Sequence, residues 1–344
     1  MLDGRRGAAC RRQPCRQSGR RRHTAPTLRS RQERRVSNVP TTTPVKDPDL
    51  RLINEPATFW RGTASDLRDV WTSRELLQAF TTRELRSRYK GSTLGWAWAL
   101  VKPLVMLLVY GLAVGVFLGA GRETPQFMIF IYCGLLAWTL FSTIVTGAIG
   151  SVVANGALLS RAAFPRLLLP LSTLAVALVD FALQASVLLI AYVIFQDVPG
   201  ATALLWLPPS LLLLVVFALA VGLFFAAVNV YVRDVGFLVD VSLTVGFWLT
   251  PILYSYGQVV RGAEDYGVAG ELATRAYMLN PMANVVFGFH NALWPAVGSP
   301  EAAGSAFPGQ LGMRLALLTA VSLGLLWLSM RVFVRLSANF GQEV

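Results

Sequence analysis

The sequence predicts an all-α integral membrane protein with six transmembrane helices. Amphipathic interfacial helices precede the first, and a re-entrant outer segment lies between spans 5 and 6. Three observations predict this fold. Hydrophobic residues make up 54% of the chain and charged residues only 15%, a balance unlike that of a soluble protein. Apolar stretches fall at 96–118, 126–150, 167–195, 204–231, 236–256 and 312–334, each near the ~20 residues that cross a hydrocarbon core. The cations between them are segregated to alternate connections, which is how helical membrane proteins are oriented.

The chain opens on a basic tail. Residues 1–50 hold twelve Arg and one Lys against four acids, +9 of the formal net charge of +12. The total therefore reflects one segment, and no nucleic-acid partner is expected. Residues 1–45 have few apolar side chains to bury against the entropy of ordering, so 1–50 is expected to be a disordered basic tail. No apolar h-region follows its positive charges, so no secretory signal is read here and the N-terminus is expected to stay cytoplasmic. An organelle transit peptide and a later translation start near Val36 or Val39 are the alternatives. Residues 51–93 read as a cytoplasmic linker followed by interfacial helices, and 94–344 as the transmembrane domain.

Two capping-box patterns, Thr72-Ser73-Arg74-Glu75 and Thr81-Thr82-Arg83-Glu84, predict two short helices broken at Thr81–Thr82. Val70, Leu77 and Phe80 share one face, Leu85 and Tyr89 are four apart, and Arg83, Arg86 and Lys90 line another side. Such helices suit a headgroup boundary, with cations toward anionic lipid. A solvated basic face that only fixes orientation is the plainer alternative.

Six spans put both termini on one side. Arg161 and Arg166 follow the second span, Arg233 the fourth, and Arg331 and Arg335 the sixth, so these connections join the basic N-terminal region in the cytoplasm. Outer connections carry Arg122 with Glu123, Asp197, and a long mixed-charge segment over 257–311. Within it, 277–297 is apolar but interrupted at Asn280-Pro281 and Trp294-Pro295, and is read as re-entrant. Asp180 lies in the middle of the third span, where an ionised carboxylate costs about 2.5–3.5 kcal/mol on insertion scales. It is either a polar wall of a translocation path or a packed acid bonded to a neighbouring helix, with Gln184 one turn away.

Certain chemistries are excluded. The only lysines, Lys46, Lys90 and Lys102, precede Asp47, Gly91 and Pro103, so no Walker A loop exists in the chain. Asp47-Pro48-Asp49 matches the paired-acid pattern of glycosyltransferases but has no surrounding domain. His23 and His290 are the only histidines, and Cys10, Cys15 and Cys133 are scattered. No catalytic, cofactor-binding or metal site is expected.

Four segments carry a resemblance. They are Arg83-Glu84-Leu85-Arg86-Ser87-Arg88-Tyr89-Lys90 with Ser92 to Trp98 and Lys102-Pro103-Leu104; Ser160-Arg161-Ala162-Ala163-Phe164-Pro165-Arg166 with Leu169-Pro170; Asn229-Val230-Tyr231-Val232-Arg233-Asp234-Val235; and Thr250-Pro251-Ile252-Leu253-Tyr254. In this order the chain from about residue 70 resembles type-2 ABC export permeases of the polysaccharide branch, which export lipid-linked O-antigen, teichoic acid and capsule precursors. The Arg-rich tail lies outside that pattern.

The resemblance implies a homodimeric inner-membrane permease working with two copies of a separate ATPase that binds the ATP and Mg²⁺. It places the ATPase-coupling segment at Asn155, Gly156, Leu159, Ser160, Arg161, Phe164 and Pro165, with a second cytoplasmic contact at Arg233 and Asp234. It makes Arg83, Arg86, Arg88, Tyr89 and Lys90 a cytoplasmic gate whose cations attract a lipid-linked pyrophosphate. Sugar rings stack on aromatic faces, so Trp138, Phe141, Phe247, Trp248, Tyr254 and Tyr256, with Asp180, are candidates for the translocation path. Ordinary packing or an interfacial belt is the alternative for each. The function expected is export of a lipid-linked cell-envelope polysaccharide, by a subunit without an ATPase site. Heavy use of Arg, Ala, Leu and Val with three lysines suggests a GC-rich bacterial gene and makes a galactan one substrate guess. A type-2 exporter of a drug or small lipid is the nearest alternative, and a membrane glycosyltransferase is the alternative from another class.

Overall fold

The computed structural model describes residues 62–90, 95–159, 164–297, 307–338 and 340. The tail expected to be disordered lies outside these residues. Among the described residues the fold is helical throughout, without strands.

The N-terminal pair differs from the reading above. Helix α1, Thr63–Thr72, occupies part of the expected linker, and α2, Arg74–Tyr89, runs unbroken through Thr81–Thr82. Neither threonine caps a helix. The Thr72 hydroxyl donates to the Arg68 carbonyl and the Thr81 hydroxyl to the Leu77 carbonyl, each at 2.8 Å. A threonine bonded back one turn is satisfied inside a helix and does not end it. The interruption falls instead at Ser73, between α1 and α2.

Among the described residues, five helices are long and apolar enough to cross a membrane. Helix α3, Trp98–Tyr110, continues through a π-helical stretch, Gly111–Phe117. After the short α4, Ala120–Glu123, come α5, Phe127–Ala154, the one-turn α6, Gly156–Leu159, and α7, Leu168–Phe195. A 3₁₀ turn, Ala203–Trp206, leads into α8, Leu207–Tyr231, and the last long helix, here called α13, is Leu311–Ser337. Burial ranks them. In its most apolar window α5 is 78% buried against 11% for α3, so α5 is the central helix and α3 a peripheral one. Helix α8 packs along both α5 and α13, and α7 lies against the other side of α5.

The stretch expected as a full fifth span is shorter. Helix α9, Asp234–Trp248, has 15 residues, roughly 22 Å of rise against a core of about 30 Å. Pro251 disfavours helical geometry in the residue before it, and the chain turns at Leu249 with the Thr250 hydroxyl bonded back to the Gly246 carbonyl. The next helix is specified by a capping box between Ser255 and Gln258, which the apolar pattern hides. Helices α10, Tyr256–Glu264, and α11, Gly267–Tyr277, pack on each other.

Helix α12, Pro281–Leu293, lies within the segment read as re-entrant. Asn280 caps it by accepting from the Met282 N–H, and Pro281 starts it. Thirteen residues cannot span the core, yet the helix is buried against α5 and α8. The Tyr192 hydroxyl of α7 donates to the Leu293 carbonyl, and His290 Nε2–H donates to the Phe130 carbonyl at 3.0 Å while its ring stacks on Phe130. His290 is thus a satisfied packing residue. Helices α12 and α8 approach closely at Gly288, where a Cβ would stand 1.8 Å from Ser210 Oγ and 2.8 Å from Ser210 Cβ. Gly288→Ala is expected to lower stability by about 1–3 kcal/mol through overpacking, read as a lower Tm of the purified protein; an unchanged Tm would mean this contact relaxes freely.

Candidate functional site

The site is the junction of α2 with the segment after α5 and with α7. On α2, Leu76, Leu77, Phe80, Thr81, Glu84 and Leu85 are half-buried while the intervening residues are exposed, the i, i+4 stripe of a helix laid on a partner. That partner is α7. Three contacts fix the junction. The Phe80 ring meets Phe164 edge-on at 5.5 Å. Arg83 Nη2 donates to Asn155 Oδ1 at 2.6 Å. Arg88 Nη1 donates to Asp180 Oδ2 at 2.8 Å, with Glu84 3.9 Å from the same guanidinium.

Two expected groups are thereby brought together. Asn155 closes α5, its Nδ2 donating to the Ser151 carbonyl, and its own carbonyl accepts from the N–H groups of Leu158 and Leu159 in α6. Gly156 starts α6 and Leu159 is buried. Ser160 and Arg161 lie outside the described residues. Phe164 and Pro165 resume the chain before α7, and the guanidinium of Arg166 beside them is partly buried, which pulls its pKa down against the opposing pull of Tyr231. The gate cations divide. All four of Arg83, Arg86, Arg88 and Lys90 are exposed, and of them Arg83 and Arg88 bond to Asn155 and Asp180; the Tyr89 side chain is outside the described residues.

Asp180, expected among the path candidates, bonds through its carboxylate to Arg88 of the α2 helix. Among the aromatic candidates, Trp138 packs against Phe141 at 5.5 Å and Phe247 at 6.0 Å, Phe141 stacks on Phe217 of α8, and Phe247 stacks on Tyr110 of α3. Trp248 is exposed, while the Tyr254 hydroxyl donates to its carbonyl and meets the Tyr277 hydroxyl at 3.3 Å. Tyr256 packs edge-on against Phe287.

Two features escaped the sequence. Arg331, 3% exposed in the last turns of α13, stands 3.3 Å from Asp66 of α1. At sequence level Arg331 counted only toward orientation, and Asp66 lay in the supposed linker. Burial pushes the Asp66 carboxyl above the usual range, with Arg331 pulling the other way. The second is Asn229, buried at the end of α8. Its Oδ1 accepts from the Gly236 N–H at 3.1 Å and its Nδ2 reaches the Ile149 carbonyl at 3.5 Å. It ties the α8–α9 turn to the end of α5. Arg233 and Asp234 in that turn are exposed, and among the described residues they form no ion pair with each other.

A bundle of long apolar helices with a basic helix clamped to the connection between two of them is the arrangement of a helical membrane protein. The ABC-2 type transporter family profile matches residues 75–263, and the chain belongs to that family. Among individual relatives, it is 30% identical over 280 residues to the O-antigen export system permease protein RfbA of Myxococcus xanthus, covering 81% of this chain and 98% of the relative. Against the RfbA protein of Klebsiella pneumoniae it is 26% identical over 181 residues, 53% of this chain and 69% of the relative. Against the polysialic acid transport protein KpsM of Escherichia coli it is 23% identical over 223 residues, 64% and 81% of the two chains.

Proposed function

We propose that this chain is the membrane subunit of an ATP-driven exporter that moves a lipid-linked cell-envelope polysaccharide from the cytoplasmic side across the bacterial inner membrane. The observation that carries this reading is the match along nearly the whole length of an O-antigen export permease. The other relatives named above are exporters of the same class of cargo, which disfavours a drug or small-lipid exporter. ATP and Mg²⁺ belong to a separate ATPase, two copies of which dock on a homodimer of this chain. Both termini are cytoplasmic, α9 with the turn after it forms the shortened fifth of six spans, and residues 277–297, which contain α12, form the re-entrant outer segment.

The junction supplies the mechanical step. An ATPase that displaces residues 155–165 pulls on Asn155 and Phe164, and each is in contact with α2 through Arg83 or Phe80. Movement at the ATPase is thus delivered to the gate helix without an intervening loop. Arg83 and Arg88 hold α2 in place, which leaves Arg86 and Lys90 to meet the substrate's pyrophosphate by charge-assisted hydrogen bonds. The aromatic cluster around Trp138 and Phe247 lies beside the path.

The test is export in the native host with the chromosomal copy depleted. Loss of surface polysaccharide, accumulation of its lipid-linked precursor inside, and rescue by the wild-type chain are expected. Arg83→Ala and Asn155→Ala are each expected to restore export several-fold less well at equal membrane abundance. A host whose envelope glycans are unchanged by depletion would overturn the reading.

A further inference from the structure

A cavity of about 330 Å³ lies between the C-terminal end of α11 and the first turns of α13. It is far from the gate. Arg314 on its wall is seventeen residues from Arg331 along α13, roughly 26 Å at helical rise. Thr274, Arg275, Met278 and Leu279 line one side and Arg314 and Leu317 the other.

Arg314 is oddly placed for a structural cation. It sits in the first turn or so of a 27-residue helix, where the free N–H groups already present positive charge and disfavour another cation. That first turn contains no acidic residue. Among the described residues no carboxylate lies within ion-pair reach of the Arg314 guanidinium. Arg275 is different, being held by Glu271 at 2.6 Å. The local charge is therefore Arg314's, and it faces a cavity.

Met278, Leu279, Met313, Leu317 and Leu318 give the wall an apolar side, and that side continues along α13. Met313, Leu317, Val321 and Leu325, spaced by four, are all exposed along one stripe of α13. A free anion has no use for such a stripe, and a neutral lipid has no use for the guanidinium. Both features together suit a molecule with a charged head and a long hydrocarbon chain. Arginine recognises phosphate oxygens through its planar fork of donors, whereas the Thr274 hydroxyl is already donated to the Gly270 carbonyl at 2.9 Å.

We propose that this cavity is a binding site for an anionic phosphate-headed amphiphile, the phosphate on Arg314 and the hydrocarbon chain along Met313, Leu317, Val321 and Leu325. Two sources share that chemistry, a polyprenyl phosphate and an anionic glycerophospholipid. The site stands apart from the export reading, because binding is measured without transport.

The full chain is purified in dodecyl maltoside, a detergent without phosphate, and titrated with a polyprenyl phosphate, with dioleoylphosphatidylglycerol and with the headless dioleoylglycerol. Arg314→Gln is expected to weaken binding of the phosphate-headed probes at least tenfold and to leave dioleoylglycerol unaffected. Leu317→Trp, which fills the apolar side while keeping the charge, is expected to weaken the same probes. Both positions face the surface, and unchanged helical content and Tm verify the fold. Preference for the polyprenyl phosphate would name a carrier lipid as the ligand, and equal binding of both phosphate-headed probes would name bulk anionic lipid; either supports the site. Wild-type affinity in both variants, or full displacement of the probes by inorganic phosphate at equal concentration, would overturn it.

Discussion

Replacing Arg88 with Ala is expected to be the most damaging change among the α2 cations, lowering stability by about 2–4 kcal/mol and export in parallel. Asp180 lies mid-span on α7 and its side chain is 11% exposed, while that of Arg88 is 31% exposed. A pair this sheltered contributes little compared with a well-packed apolar pair, since both ions lose hydration. Removing one member is another matter, because it withdraws a charge-assisted hydrogen bond from a carboxylate set in an apolar helix. The partial exposure of Arg88 keeps the expected loss below that of a fully buried pair. The check is a double-mutant cycle with Asp180→Asn. Arg88→Ala combined with Asp180→Asn should unfold at a higher temperature than Arg88→Ala alone. Strict additivity of the two single changes would show that the pair does not couple α2 to α7.

Asp66→Asn and Arg331→Leu are expected to differ in kind, although they break one contact. Arginine cannot lose its proton in a protein, so Asp66→Asn puts a neutral amide where a carboxylate faced the buried cation, at a cost of about 1–3 kcal/mol. Aspartate has an escape. In Arg331→Leu the pull that lowers the Asp66 carboxyl is gone, and burial alone acts to raise it further. A carboxyl raised in the folded state gives its stability below the unfolded value near 3.9 and loses it as pH rises through the folded value. The Arg331→Leu protein should therefore be close to wild type at pH 4–5 and fall progressively behind it toward pH 8. Thermal unfolding across that range decides it, and a pH-independent gap would show that Asp66 does not take up the charge defect.

Much of the fold was legible in the sequence because a bilayer demands one property over a fixed length. The long apolar stretches correspond to α3, α5, α7, α8 and α13 within a few residues at most ends. The fifth stretch misled because hydropathy does not register that Pro251 ends a helix, nor that Ser255 and Gln258 begin another. Thr81 misled in the opposite direction. A threonine before Arg-Glu has the composition of a cap, but its hydroxyl had a carbonyl one turn back to bond, so α2 continues.

The candidate site was legible as separate motifs and not as a site. The resemblance marked Arg83 and Arg88 on one segment and Asn155 and Phe164 on another, and its place in an apolar span marked Asp180 as an acid in need of a partner. Nothing local says that Arg83 reaches Asn155, 72 positions away, or that Arg88 reaches Asp180, 92 positions away. Arg331 and Asp66 were harder still, since one was read as an orientation signal and the other as part of a linker.

By itself the sequence determined that this protein is helical, lies in a membrane, has its positive charge concentrated at one end and has no Walker A loop of its own. Those properties follow from composition, run length and the presence or absence of short motifs, each read within one stretch of chain. The tertiary structure alone decided that α2 is one rigid helix clamped to α7 and to the end of α5, and that α1 is tied to α13. Ion pairs and close packing depend on which surfaces meet in three dimensions, and sequence separation does not encode that.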